Sequence, residues 1–183
     1  IISPSYGKNN LLEVCGIELV NILLKSNFKV LLRPHFRTLN ESKKTIDQIL
    51  DKFGDNPNFE LEKGIISSEK FHQSKCMISD WSGISLEYAF TFERPVLFID
   101  VPKKEMNSES NKISLEPIEI AIRKKIGYVI DPNNLEEISN IIKKMDGDEI
   151  ISEQIKKIRF ETVYNIGNSA KIGADYIEKL LSE

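Results

Sequence analysis

Four consecutive apolar residues, Val96-Leu97-Phe98-Ile99, follow Pro95 and stop at Asp100. A strand with one face in water alternates apolar and polar side chains. This run does not alternate, so both faces of the strand must be covered. The runs Phe28-Lys29-Val30-Leu31-Leu32, Cys76-Met77-Ile78 and Gly127-Tyr128-Val129-Ile130 also read as strands, as does the shorter Phe59-Glu60-Leu61-Glu62. Ile1-Ile2-Ser3 reads as the end of another. Helical spacing fills the intervals. Over 11–24 the apolar positions are Leu12, Cys15, Leu19, Val20, Leu23 and Leu24, with Asn10 as N-cap and Glu13 as its capping-box partner. The same spacing predicts helices over 41–53, 67–73 (capped by Ser67 or Ser68), 82–92, 116–125, 135–145, 149–164 and 170–181.

Strands alternating with helices predict an α/β domain of three layers, a mostly parallel sheet with helices on both faces. A chain of 183 residues that is 40% hydrophobic can build one substantial core, so residues 1–183 are expected to form a single domain. The start at Ile1, within strand-like sequence, predicts a piece of a longer protein.

The net charge of -3 implies no broad basic face, so nucleic acid is not an expected partner. A few backbone N–H groups can still bind a phosphate at such a charge. Two cysteines, two histidines and no C-x-x-C support neither a disulfide framework nor a zinc site. Cys15 and Cys76 read as small buried apolar residues, and reducing cytoplasm is the default location. No apolar run approaches the roughly 18 residues of a membrane span, and no signal peptide is recognisable.

In an open parallel sheet, ligands sit outside the carboxyl ends of the strands. The polar clusters of this chain fall at those ends: residues 5–10, 33–38, 79–85, 100–104 and 131–134. The stretch Ser82-Gly83-Ile84-Ser85 opens a helix just after a strand. Its first amides have no partner inside the helix and, with the helix dipole, form a phosphate seat. Gly83 allows close approach, and Ser82 and Ser85 can add hydroxyls. Asp80 would repel a phosphate, so it is expected to fix the loop through backbone N–H groups or to cap a helix. The plain alternative is a well-capped turn with Trp81 packed on its neighbours. His35, flanked by Arg33 and Arg37, suits a general base or a phosphate ligand, or a surface loop residue. Lys103 and Lys104 suit an anionic substrate or a solvated loop. Glu116 and Glu119 suit a ribose or helix-dipole charge, and Tyr6 suits a base, a sugar or simple packing. No G-x-S-x-G, G-x-x-x-x-G-K-[ST] or G-x-G-x-x-G occurs.

Pro4-Ser5-Tyr6-Gly7, Leu32-Arg33-Pro34-His35, "SDWSGISLEYAF" (79–90) and the following "ERPVLFID" together resemble the C-terminal half of CDP-glycerol glycerophosphotransferases, teichoic-acid-type polymerases and primases. The resemblance spans residues 1–130, with looser similarity at Gly167-Asn168-Ser169 and the last helix. It implies a Rossmann-like, nucleotide-donor-binding domain, the C-terminal half of a GT-B fold. It also implies transfer of glycerol phosphate, or a similar polyol phosphate, from a CDP-activated donor to a cell-surface polymer, with no cofactor and no metal. His35 would contact the donor phosphate or assist transfer, and Ser82 with the following helix N-terminus would hold the diphosphate. Ser5, Tyr6, Gly7, Arg33, Asp80, Trp81, Gly83, Ser85, Lys103, Glu116 and Glu119 complete the expected binding set. The partners implied are the nucleotide-linked polyol phosphate or sugar, an N-terminal domain of the same protein, and the polymer acceptor. The last helix would pack back onto that domain. The implied location is cytoplasmic, peripheral at the inner face of the membrane for the full-length protein, and the isolated piece would be inactive.

The sequence departs from the family pattern at Phe36 (usually proline), Trp81 (Tyr), Gly83 (Ser) and Glu87-Tyr88 (commonly Asp-Phe). The alternatives carried forward are a UDP-sugar-dependent GT-B glycosyltransferase, a UDP-sugar 2-epimerase, and a degenerate GT-B-like binding module without activity.

Overall fold

The computed structural model describes residues 1–64, 67–103 and 115–182. Among them the six strands are β1 (Ile2–Ser3), β2 (Val30–Leu32), β3 (Phe59–Leu61), β4 (Met77–Ser79), β5 (Val96–Ile99) and β6 (Gly127–Ile130). All pair in parallel, in the order β3-β2-β1-β4-β5-β6. The helices are α1 (Leu11–Lys25), α2 (Thr38–Glu41), α3 (Lys43–Phe53), α4 (Ser68–Gln73), α5 (Ile84–Phe92), α6 (Ile118–Ala121), α7 (Arg123–Ile126), α8 (Ile138–Met145), α9 (Glu149–Thr162) and α10 (Ser169–Ser182). This is a Rossmann-like α/β fold of three layers.

The unalternating run in β5 is split between the two layers. Leu97 and Ile99 join the apolar cluster built with α1, α3 and α8, while Val96 and Phe98 join the one built with α5, α7 and α9. Met77 and Ile78 in β4 divide the same way. Parallel strands need crossovers, and the crossover helices must bury an apolar stripe, so each face of the sheet acquires its own core. Gly127 marks the tightest approach: a Cβ there would fall 1.7 Å from the carbonyl oxygen of Val96, its β5 partner.

The element boundaries shift from expectation at the ends. The helix expected from residue 41 is preceded by the short turn α2, and α5 begins at Ile84 with Gly83 as its N-cap. The helix expected over 116–125 is two single turns, α6 and α7, meeting at Ile122. A 3₁₀ turn at Leu135–Glu137 precedes α8. Asn10 caps α1, its Oδ1 accepting from the N–H groups of Leu12 (2.9 Å) and Glu13 (3.3 Å). Glu13 closes a wider box than expected: it accepts from the Asn9 N–H and the Ser42 hydroxyl rather than from the cap itself. Ser67 caps α4. Both cysteines are free and buried. Burial pushes the Cys15 thiol up to about 12 and raises that of Cys76, so neither is an activated nucleophile.

Candidate functional site

Because every strand is parallel, the carboxyl ends share one edge, and there the first residues of each loop come together. Chain order reverses between β1 and β4, which are neighbours in the sheet although 76 residues apart in register (Ile2 opposite Ile78 is one such pair, Ser3 opposite Ser79 the next). Loops leaving such a pair diverge and open a crevice.

The floor of this crevice is held by Asp80, 1% exposed. Its Oδ1 accepts from the Ser5 N–H at 2.6 Å, and its Oδ2 from the Leu11 N–H at 2.9 Å and the Ser5 hydroxyl at 3.1 Å. The carboxylate therefore sits at the N-terminus of α1, where an anion is favoured by free amides and dipole. Burial pushes the Asp80 carboxyl above the usual range, against the opposing pull of the Leu11 and Ser5 N–H donors. Asp80 does fix a loop and complete a helix cap, reaching across the crevice to Ser5 and Leu11 while also meeting the Trp81 N–H in its own turn. Ser5 is drawn fully into this brace, since its carbonyl also accepts from Thr38. The Gly7 N–H goes to Glu41, which also pairs with Arg37.

Above that floor α5 begins differently. Gly83 carries no side-chain cap, is exposed, and a Cβ there would meet nothing within 4 Å. Its φ of -60° is ordinary, so backbone strain does not call for glycine. The effect of glycine here is to leave the helix start uncovered. Ser82 is half-buried beside it. Ser85 is buried and turned inward: its hydroxyl donates to the Ser82 carbonyl at 2.7 Å, so it is not the outward donor expected.

His35 follows β2 and lies in an aromatic group, its ring 4.8 Å from Tyr6 and 4.3 Å from Phe36. The Arg37 guanidinium covers Tyr6 at 4.4 Å. The Arg37 N–H donates to His35 Nδ1 at 3.2 Å, so the neutral ring carries its proton on Nε2. Arg33 is half-buried, with Nη1 3.5 Å from the Ser3 hydroxyl. Lys103, Glu116 and Glu119 are exposed, and Lys104 lies outside the described residues.

One residue at this edge escaped sequence reasoning. Arg123, on α7, is 5% exposed. Its guanidinium lies 3.8 Å from the centre of the Trp81 ring and 5.0 Å from that of Phe98. Nη1 donates to Asp100 at 2.9 Å, just beyond β5. Trp81 in turn donates its indole N–H to the Val101 carbonyl at 2.9 Å. Thus Trp81 packs, as the plain alternative held, and beneath a cation.

A cavity of about 590 Å³ lies at the opposite edge, against Ile1, Val30, Phe59, Ser74 and Cys76. It has room but no helix start aimed into it, and in a parallel sheet it faces the amino ends of the strands. The carboxyl edge is the candidate site. Among the described residues no group of three or more His, Cys, Asp or Glu side chains is arranged to hold a metal ion, and no helix is long and apolar enough to cross a membrane. No family model matches the chain, and no curated protein matches it significantly.

Proposed function

We propose that this chain is the donor-binding domain of a GT-B-type transferase that moves glycerol phosphate, or a similar polyol phosphate, from a CDP-activated donor to a surface polymer. The observation that carries it is the contrast between two helix starts at one sheet edge. That of α1 is filled by Asp80 and Asn10, whereas that of α5 has no side-chain cap and is open at Gly83, its Ser85 and Leu86 amides turned onto the Ser82 and Gly83 carbonyls. A diphosphate is thereby directed to α5, where amides and dipole stabilise the negative charge that builds on the leaving nucleotide. Asp80 keeps its own charge bound into the α1 cap, away from that seat. His35, with Nε2 protonated, is suited to donate to a phosphate oxygen. Tyr6 and Phe36 offer ring faces for a base.

The test is thermal unfolding with CDP-glycerol, CDP-ribitol and UDP-sugars. At ten times its dissociation constant, the matching donor raises Tm by about 3–5 °C. A larger shift with UDP-sugars moves the assignment to a sugar-nucleotide enzyme. No shift with any nucleotide at millimolar concentration leaves a binding module without donor chemistry.

A further inference from the structure

Arg123 has three guanidinium nitrogens, and among the described residues only Nη1 has a hydrogen-bond partner, Asp100. Nε and Nη2 are buried without a partner among those residues. These two are not an arbitrary pair. Their N–H bonds point the same way and form the side edge of the guanidinium, the fork that takes two oxygens of one oxyanion. A buried donor left without an acceptor costs free energy, more so when it is charged. Here one fork is lost twice over, while the face of the same group is well used on Trp81.

The place of this fork matters. The indole beneath it belongs to Trp81, two residues before Gly83 and the open start of α5, and Asp100 ends β5 on the same edge. Resting on the donor-binding reading, we infer that Arg123 is a phosphate-binding residue of this site, its Nε/Nη2 fork taking two oxygens of a diphosphate seated at the start of α5. Attraction to the ring face is not tied to one hydrogen-bond direction, so the guanidinium can tilt on the indole to meet a ligand. The Asp100 bond holds the far nitrogen meanwhile and fixes which edge is presented. Lysine supplies the charge but no fork.

The stacked indole makes this measurable, because Trp81 is the only tryptophan of the chain. Inorganic pyrophosphate is titrated at constant ionic strength into the wild-type protein and Arg123→Lys, following Trp81 emission. The wild-type emission shifts and saturates, and Arg123→Lys needs about tenfold more pyrophosphate, the loss of one charged hydrogen-bond pair. Acetate in a parallel titration binds more weakly. Equal affinities in the two proteins, or tighter binding of acetate, overturn the inference. Should Arg123→Lys unfold, the NMR signal of the Arg123 Nε–H in the wild-type protein serves instead: it moves and saturates with pyrophosphate, whereas a signal that stays in place through the titration overturns the assignment of the fork. Donor nucleotides that stabilise the protein without any dependence on Arg123 refute this inference alone. Pyrophosphate binding through Arg123 with no response to nucleotides refutes the donor reading alone.

Discussion

Asp80 is the residue on which the site edge depends. One carboxylate satisfies three donors from a loop and a helix that precede it by about seventy residues in the chain. Asparagine keeps the shape but can accept at only one end, so either the Ser5 or the Leu11 amide loses its acceptor. Asp80→Asn is expected to cost roughly 1–3 kcal/mol, read as a fall in Tm. The pH dependence has a definite sign. The folded-state pKa is raised, so Asp80 favours the fold fully below the unfolded value of about 4 and loses that contribution as pH rises through the folded value. The Tm gap between wild type and Asp80→Asn should therefore narrow from acid toward neutral pH. A gap that widens over that range contradicts the burial-dominated shift.

The α5 helix shows how an element is held at one end and left open at the other. At its C-terminus, Glu93 adopts a left-handed conformation (φ 54°). There Arg159 donates to the Phe90 carbonyl at 2.7 Å and pairs with Glu93 at 2.9 Å, and Ser152 donates to the Glu93 carbonyl. A cation at that end also suits the helix dipole. Arg159→Met should loosen that end, by about 1–3 kcal/mol, and speed hydrogen exchange at residues 90–93 more than at β5. An equal change at both would mean that α9 supports the whole layer and not this helix end. Most of these elements were legible in the sequence, because Leu12, Cys15 and Leu19, or Val96 to Ile99, carry periodicities that local geometry demands. The charged partners were not. Arg123 lies unmarked in the helix expected over 116–125, and it differs from its neighbours Lys124 and Lys125 only through Trp81 and Asp100, brought there by sheet order. Ser85 pointed inward for a similar reason: one turn of helix placed its hydroxyl under the Ser82 carbonyl, a competition that residue type alone does not reveal.

At the scale of the molecule, the two cores on either side of the sheet leave α10 outside both. None of its residues is buried, and Ile172, Tyr176, Ile177, Leu180 and Leu181 are exposed. Removing the chain from residue 169 onward should therefore change the unfolding free energy by no more than about 0.5 kcal/mol, since none of its described residues is buried. A marked fall in Tm would reveal a packing role for this helix in solution. The candidate site was visible from afar as polar clusters at strand ends, and an all-parallel sheet gathers such clusters by construction. The division of labour within it needed three dimensions: Ser5 and Asp80 brace, Gly83 leaves an opening, and Trp81 carries Arg123.

The Asp80 brace also sets an order of events during synthesis. At about 5–20 residues per second, several seconds separate the appearance of Leu11 from that of Asp80. Until Asp80 emerges and β4 docks beside β1, the Ser5 and Leu11 amides lack their native acceptor, and β1 has a partner on one side only. Residues 1–64 can form their helices in the meantime but cannot finish the loop between β1 and α1. The crevice edge is thus completed late, by a long-range closure of the kind that slows folding in parallel sheets.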